Sequence, residues 1–327
     1  MSPSIIAAMF TCLERPRRVC ATTARIAPLL WLAALLSSSA AGADVFTLPS
    51  PGNDLVGRVQ RVPARYRDTL LDIARRHDLG YLHITRANPG VDPWLPGEGR
   101  QVILPTRYVL PAAPRRGIVL NIAEMRLYYY PAPKPGEQPR VIVHPIGIGR
   151  DFWNTPLGET RVVGKQANPS WRPPESIRAE YAAEGEKLPR VVPPGPDNPL
   201  GRFALRLAWP GYLIHGTNKP YGVGMRVSHG CIHLYPEDIE RLFPGVAAGT
   251  PVYVVNQPYK AGWFNNVLYL QAYPPLVLNG HAYVNTLTPA VQAVTAAMGD
   301  RQVKIDWNAV MQVAIEARGI PVAVSRK

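Results

Sequence analysis

Three histidines and one cysteine lie in one stretch of the chain, from His215 to His233. Cys231 follows His215 by sixteen residues and precedes His233 by two. A thiol attacks an acyl carbonyl only as the thiolate, so it needs a base or a positive field to lower its pKa from about 8.5. Histidine is the side chain that serves as a base near neutral pH. The spacing therefore predicts nucleophilic catalysis by Cys231 with a histidine base.

Other interpretations of these residues stay open at this point. A lone cysteine is more often a small apolar core residue, and a lone histidine more often has a structural role. A zinc site is the other chemical interpretation, with His215, His229, Cys231 and His233 as candidate ligands. Zinc clusters usually place about two to four residues between neighbouring ligands, whereas His-x-Cys-x-His places one. The sequence therefore favours a thiol nucleophile without a metal or a cofactor.

A turn and a helix must hold this thiol in place. Gly230 directly precedes Cys231, and Pro236 with two acids after it marks the start of a helix. Proline is favoured at the first helical position, and acids are favoured in the first turn. We therefore expect Cys231 in a turn just ahead of a helix, where backbone N–H groups can bind an oxyanion.

The segment IHGTNKPYGVGMRVSHGCI at 214–232 closely resembles the L,D-transpeptidase family with the YkuD-type catalytic domain. The signature of that family is a histidine, a spacer of about this length, and then Ser/Thr-His-Gly-Cys. The segments NTPLGET at 154–160 and PPGPDNPLG at 193–201 are also similar to it. The resemblance spans about residues 116–255 and implies a mostly β catalytic domain.

The resemblance also implies roles for individual residues. Cys231 is the nucleophile and His215 the general base, with the backbone carbonyl of Gly216 orienting the imidazole. The residues that shape the catalytic turn and its oxyanion hole are Ser228, His229 and Gly230. The family usually has Arg or Asn two residues after the cysteine, and this chain has a histidine there. The candidate substrate-binding residues are His233, Tyr221 and Arg226.

The implied reaction is acyl transfer on peptidoglycan stem peptides. Cys231 attacks the bond between diaminopimelate and the terminal D-Ala of a tetrapeptide stem, and D-Ala leaves. An amine then resolves the thioester, either from another stem as a 3→3 cross-link or from a lysine of a wall-anchored lipoprotein. Two alternatives are a non-catalytic peptidoglycan-binding protein and a Cys/His amidase or carboxypeptidase.

Residues 1–43 have the organisation of a secretory signal peptide. Four arginines and one acid precede an apolar run that begins at Ile26, and Ala41-Gly42-Ala43 is a small-residue cleavage pattern. The apolar run is about half of the ~20 residues that a bilayer span needs. Cleavage leaves Cys231 as the single cysteine. We expect export to the periplasm or cell envelope, with no transmembrane segment in the mature chain.

The charge and composition narrow the class of partner and fold. The chain has 36 basic and 23 acidic side chains, a net charge of +13 that becomes +10 without residues 1–43. Such an excess suits an anionic partner such as a cell-wall polymer. Nucleic acid is not expected, because export separates the chain from it and no basic run or finger spacing occurs. The 36 prolines among 327 residues disfavour a long helical bundle.

Three regions are predicted after the signal peptide. Residues 61–107 resemble a LysM wall-binding module of α+β type, through DTLLDIARRH and RANPGVDPWLPGEGRQVILP. Whether this module binds glycan or serves for docking or spacing stays open. Residues 116–255 have short runs rich in Val, Ile and Tyr, typical of an antiparallel β-sandwich-like domain. Residues 260–327 form a short α+β appendage of unknown role.

Overall fold

The fold is known from a computed structural model, which describes residues 44–277, 280 and 286–326. The predicted signal peptide, residues 1–43, lies outside the described residues. The remaining chain is mainly β with a few short helices, which confirms the predicted fold class. No helix among the described residues is long and apolar enough to cross a membrane.

The N-terminal region contains five short strands and two helices. They are β1 (Asp44–Thr47), β2 (Leu55–Gly57), β3 (Gln60–Pro63), α1 (Leu70–Arg76), α2 (Tyr81–Ala87), β4 (Gln101–Leu104) and β5 (Arg107–Val109). β3 forms an antiparallel pair with β4, and β2 forms one with β5. Both helices lie between β3 and β4 in the chain. Helix α1 has a side-chain N-cap. Thr69 is the cap, because its Oγ1 accepts from the Asp72 N–H at 3.1 Å.

The central region contains a nine-stranded sheet to which β1 also belongs. Its elements are β6 (Gly117–Asn121), β7 (Arg126–Tyr130), β8 (Arg140–Pro145), β9 (Ile148–Gly149), β10 (Gly158–Ala167), α3 (Glu175–Ala183), β11 (Phe203–Leu207), β12 (Leu213–His215), β13 (Arg226–Ser228), β14 (Ile232–His233), α4 (Pro236–Gly245) and β15 (Pro251–Val255). The sheet order is β1-β8-β7-β6-β15-β10-β11-β12-β14. Its main apolar core includes Ile118, Ile214 and Ile239 of α4.

The predicted antiparallel arrangement needs one correction, because this sheet is mixed. β15 runs parallel to β6, and β14 runs parallel to β12. Parallel neighbours need a crossover connection, whereas antiparallel neighbours can be joined by a hairpin. Alternating apolar residues report which face of a strand is buried and carry no information on its direction. The run of short Val- and Ile-rich segments therefore predicted the strands without their relative directions.

The C-terminal region has its own small core. It comprises β16 (Tyr259–Phe264), β17 (Val267–Ala272), α5 (Thr288–Met298), α6 (Trp307–Glu316) and β18 (Val322–Ala323). The three strands form an antiparallel sheet in the order β16-β17-β18. Buried Leu268 and Val310 belong to its apolar cluster. A buried ion pair between Lys260 Nζ and Glu124 Oε2, at 2.8 Å, joins this region to the central one.

Close contacts also fix the N-terminal region to the part of the chain around α4. Gly80 at the start of α2 approaches Gly224, so closely that a Cβ on Gly80 would lie 2.5 Å from the Gly224 Cα. The Arg75 guanidinium donates to the Glu237 carboxylate through two nitrogens, at 2.8 and 3.0 Å. Gly224 precedes Cys231 in the sequence and Glu237 follows it, so the N-terminal region supports the segment that carries Cys231.

Candidate active site

Strand pairing sets His215 opposite a residue two positions after Cys231. β12 ends with His215 and pairs with β11 in antiparallel and with β14 in parallel. His215 lies opposite His233 in the parallel pair, and Cys231 immediately precedes β14. Side chains two residues apart on a strand share a face, and diagonal neighbours on adjacent strands are about 7–8 Å apart. Cys231 lies just before this strand pair, two residues ahead of the residue that faces His215.

The Cys231 thiol is half-buried at the start of this strand. It donates to the carbonyl oxygen of Gly211, 3.5 Å from Sγ. Burial raises the pKa of the thiol above its ordinary value, and a hydrogen bond from the Leu213 backbone opposes that shift. The thiol is therefore protonated near neutral pH, and it needs a base at the moment of attack.

The imidazole of His215 is oriented by the backbone beside it. Its Nδ1 lies 2.6 Å from the carbonyl oxygen of Gly216. A carbonyl oxygen only accepts, so Nδ1 carries the proton and Nε2 is the basic nitrogen of the neutral ring. Burial lowers the pKa of His215 to about 3, and the neighbouring His233 acts in the same direction. The ring is neutral at physiological pH and can accept the thiol proton.

Hydrogen bonds hold the turn that precedes Cys231. The Ser228 hydroxyl donates to the carbonyl oxygen of Cys231 at 2.6 Å, and the Thr155 hydroxyl donates to that of Gly230 at 2.9 Å. Gly230 has φ of +99°, which favours glycine. A Cβ at this position would also lie 3.2 Å from the Tyr212 ring. The Ser-His-Gly-Cys motif therefore satisfies the backbone requirements of this turn.

The helix α3 contacts the same turn through a charged cluster. His229 Nε2 lies 3.1 Å from Oε2 of Glu180, and the Arg150 guanidinium also donates to this carboxylate. The hydrogen bond from Arg150 lowers the pKa of Glu180 below its ordinary value, and the one with His229 adds to this effect. Trp153 packs edge-on against the His229 ring, with centroids 4.9 Å apart. Sequence reasoning missed Glu180 and Arg150, because each is far from the motif and resembles an ordinary surface charge.

The imidazole of His233 occupies a tight space beside the base. The His215 and His233 ring centroids are 6.3 Å apart. The Gly147 N–H donates to the His233 carbonyl at 2.8 Å, and a Cβ on Gly147 would collide with the His233 ring. Burial lowers the pKa of His233 to about 4, so this neighbour of the base is uncharged at neutral pH. An arginine at this position would instead keep a permanent positive charge beside His215.

The other two candidate substrate-binding residues differ in their surroundings. Tyr221 lies in the 3₁₀ turn Pro220–Gly222 and is 61% exposed, so its ring is accessible to a ligand. The Arg226 guanidinium is already bonded within the protein. It donates to the carbonyl of Val277 at 2.7 Å and lies 3.8 Å from Oδ1 of Asp151. Arg226 therefore holds neighbouring backbone segments together.

The four residues considered as zinc ligands do not converge on one point. The His229 imidazole is directed at Glu180, while His215 and His233 face each other across the strand pair. Within the described part of the chain, three His, Cys, Asp or Glu donors meet at metal-binding distances elsewhere, away from the thiol.

The segment 193–201 packs against the residues that follow the base. Buried Asn198 donates to the carbonyl of Pro169 at 2.8 Å and accepts from the Leu200 N–H at 2.9 Å. A Cβ on Gly201 would lie 2.9 Å from the backbone nitrogen of Thr217. The backbone of Leu200 also hydrogen-bonds the His215 ring. This segment therefore packs against the residues around His215, and the buried side-chain amide of Asn198 within it is hydrogen-bonded.

Comparison with known proteins identifies the class of this site. Residues 115–254 match the YkuD family, described as the L,D-transpeptidase catalytic domain. Together with relatives above 30% identity that match over more than two thirds of their length, this match shows that the chain belongs to the L,D-transpeptidase family. The chain is therefore an enzyme, a cysteine-dependent transpeptidase, which confirms the prediction from the motif.

Three curated relatives come from Escherichia coli strain K12. Probable L,D-transpeptidase YcfS is 48% identical over 233 residues, 70% of this chain and 72% of that protein. Probable L,D-transpeptidase YbiS is 42% identical over 278 residues, 82% of this chain and 89% of that protein. Probable L,D-transpeptidase ErfK/SrfK is 38% identical over 315 residues, 92% and 97% of the two chains. The similarity extends beyond residues 115–254 into the flanking regions.

Proposed function

We propose that this protein is an exported L,D-transpeptidase that acts on peptidoglycan tetrapeptide stems, with Cys231 as nucleophile and His215 as general base. The observation that supports the proposal is the parallel pairing of β12 and β14, in which His215 lies opposite His233, two residues after Cys231. The hydrogen bond from His215 Nδ1 to Gly216 supports the role of the base, because it leaves Nε2 unprotonated.

The proposed first half-reaction transfers an acyl group to the thiol. The Cys231 proton moves to His215 Nε2 as Sγ bonds the carbonyl carbon between diaminopimelate and D-Ala. Backbone N–H groups around Gly230 and Cys231 stabilise the oxyanion, and the imidazolium returns its proton to the leaving amine of D-Ala. Since the resting thiol and imidazole are both neutral, proton transfer accompanies attack.

The second half-reaction consumes the thioester. An acceptor amine gives a proton to His215, attacks the thioester carbon and releases the thiol, forming an amide. Either a second stem peptide or a lysine of a wall-anchored lipoprotein satisfies this chemistry, and water in their place gives hydrolysis. Exposed Tyr221 and His233, the ring neighbour of His215, are proposed to contact the substrate. Export is proposed from residues 1–43, and the net charge of +10 suits an anionic wall.

Mass spectrometry after incubation with a carbapenem, a reactive β-lactam, tests the nucleophile. We expect one covalent adduct on Cys231 in the wild type, none in Cys231→Ala, and acylation slowed by about 10²–10⁴-fold in His215→Ala. Tyr66→Ala, a change at an exposed position of the N-terminal region, is the matched control and should acylate normally. No adduct in the wild type, or an adduct that survives in Cys231→Ala, would overturn the assignment.

Muropeptide analysis then separates the candidate reactions. Tetrapeptide-rich peptidoglycan should yield D-Ala together with 3→3 cross-linked dimers, or peptides bearing the lysine of a supplied lipoprotein. Tripeptides alone would indicate a carboxypeptidase, and cleavage at another bond would indicate an amidase. Retention on purified sacculi without any turnover would favour a binding protein. The same sacculi test whether the LysM-like region 61–107 contributes, by comparing the wild type with Trp94→Ala, whose indole is 65% exposed.

A further inference from the structure

A buried cluster of three ionisable side chains lies where the N-terminal region meets the nine-stranded sheet. Asp78 follows α1, His144 is on β8, and Asp238 is in the first turn of α4. His144 Nδ1 lies 3.5 Å from Asp78 Oδ2 and 3.4 Å from Asp238 Oδ1. One oxygen or nitrogen from each of the three residues lies within 4.8 Å of the others. All three side chains are at most 5% exposed.

Four polar atoms of this cluster have no hydrogen-bond partner. Both carboxylate oxygens of Asp78, Oδ2 of Asp238 and Nδ1 of His144 are buried without a hydrogen-bond partner. Buried polar atoms in folded proteins are nearly always hydrogen-bonded, and buried charges are paired or coordinate metals. Two carboxylates facing each other in the interior also repel unless a proton or a cation lies between them.

We propose that Asp78, His144 and Asp238 bind one divalent transition-metal ion, with zinc as the species that fits best. An imidazole with two carboxylates is a donor set that zinc accepts, whereas calcium and magnesium prefer mostly oxygen ligands in larger numbers. At zinc–ligand distances of about 2.0–2.2 Å, the edges of a tetrahedron measure about 3.3–3.6 Å. The two distances from His144 Nδ1 fall in this range. The remaining carboxylate oxygens are available to complete the coordination.

Two further charged groups face the cluster, and neither replaces a metal there. The Arg241 guanidinium approaches Asp238 Oδ1 at 3.4 Å from the solvent side, and it leaves Asp238 Oδ2 without a partner. Asp44 lies nearby and accepts from the Tyr108 hydroxyl at 2.7 Å, which adds negative charge to the surroundings. A dication would balance the charges of the two buried carboxylates.

The position of the cluster indicates a structural role for the metal. Asp238 follows the nucleophile by seven residues, and Asp78 lies between the two helices of the N-terminal region. One ion bound by all three residues would join that region, strand β8 and helix α4. Metal binding of this kind contributes directly to the stability of the folded state. The ion would take no part in acyl transfer at Cys231.

Metal content and thermal stability test the proposal on the tag-free chain without residues 1–43. After incubation with zinc and dialysis, the wild type should retain about one zinc ion per chain, measured by inductively coupled plasma mass spectrometry. Zinc should also raise its Tm. Asp78→Asn and His144→Gln should retain less than about a fifth of that zinc. Asp68→Asn, which removes an acid paired with Arg76 in the same region, is the matched control and should retain the full amount.

A second pair of measurements locates the ion. Cys231→Ala should keep the same zinc stoichiometry, and the cobalt-substituted protein should lack a thiolate-to-cobalt charge-transfer band. Loss of zinc in Cys231→Ala would place the ion at the active site and overturn the proposal. Wild-type protein that retains no zinc and whose Tm zinc does not change would overturn it too, and would show that a shared proton holds the cluster. The wild-type result decides the matter even if His144→Gln does not fold.

Discussion

His215 and His233 lie directly opposite each other on the parallel strands β12 and β14, with ring centroids 6.3 Å apart and planes at 33°. Burial lowers the pKa of both rings, to about 3 for His215 and about 4 for His233. The base therefore has an uncharged neighbour at neutral pH, where most members of the family are expected to carry arginine or asparagine. The charge state of the pair determines how the enzyme responds to acid.

Acylation of Cys231 should be nearly independent of pH between about pH 5 and pH 7. Both imidazoles have pKa values below the ordinary value of 6.5, so they stay neutral throughout this range and gain protons only below it. Burial raises the pKa of the Cys231 thiol, so the thiol stays protonated over the same pH range. The rate constant for acylation by a carbapenem, measured by stopped-flow fluorescence, checks this.

The alternative is a His215 imidazole that titrates at the ordinary histidine pKa, which would give an acid limb with a midpoint near that value. Such a limb between about pH 6 and pH 7 would contradict the neutral pair. His233→Gln is the companion variant. It should keep the flat region, since the neighbouring ring contributes no charge there.

Replacing Glu180 should slow acylation without unfolding the protein. Its carboxylate accepts from His229 at 3.1 Å and from Arg150, and so fixes the turn that precedes Cys231. Glu180→Gln removes the charge and retains the shape, and we expect the acylation rate to fall by about threefold to tenfold. The control is Glu184→Gln, at the exposed C-cap of the same helix. Equal rates for both variants and the wild type would show that α3 does not position the turn.

A methyl group at Gly80 should separate the N-terminal region from the loop before the catalytic motif. Its Cβ would lie 2.5 Å from the Gly224 Cα, a distance that forces one backbone to move. We expect Gly80→Ala to destabilise the protein by about 1–3 kcal/mol, as overpacking does elsewhere. Gly164→Ala, whose Cβ would meet only the flexible end of Arg206 at 3.2 Å, should cost much less. Urea unfolding followed by circular dichroism compares the two midpoints.

Local chemistry made part of this structure predictable. The short apolar strands and the helix that begins at Pro236 follow from residue types a few positions apart. The same holds for the catalytic turn, because Gly230 must adopt positive φ and Ser228 must reach a carbonyl three residues ahead. The family signature then predicted the nucleophile, and the parallel pairing of β12 with β14 sets His215 opposite the residue two positions after it.

Long-range contacts explain what the sequence did not predict. Glu180 reaches His229 across 49 residues, and nothing in the residues around it distinguishes it from a solvated acid on an amphipathic helix. The cluster of Asp78, His144 and Asp238 joins three separate elements in the same way. The parallel pairing of β6 and β15 depends on how the whole chain between them crosses the sheet. Each depends on tertiary topology, which residue patterns do not encode locally.

The buried pair of Lys260 and Glu124 should be costly to break from one side. The Lys260 ammonium lies 2.8 Å from the carboxylate and 3.0 Å from the Tyr128 hydroxyl, and both ionised side chains are at most 2% exposed. Lys260→Met leaves a buried carboxylate without its cation and should destabilise the protein by about 3–5 kcal/mol. Adding Glu124→Gln removes that charge, so the double variant should lose less than the sum of the single losses, by about 1–3 kcal/mol. Arg202→Ala, from the exposed ion pair with Glu240, should cost less than about 1 kcal/mol in the same urea titrations. Additive losses for Lys260 and Glu124 would show that their pairing does not couple the C-terminal region to the central sheet.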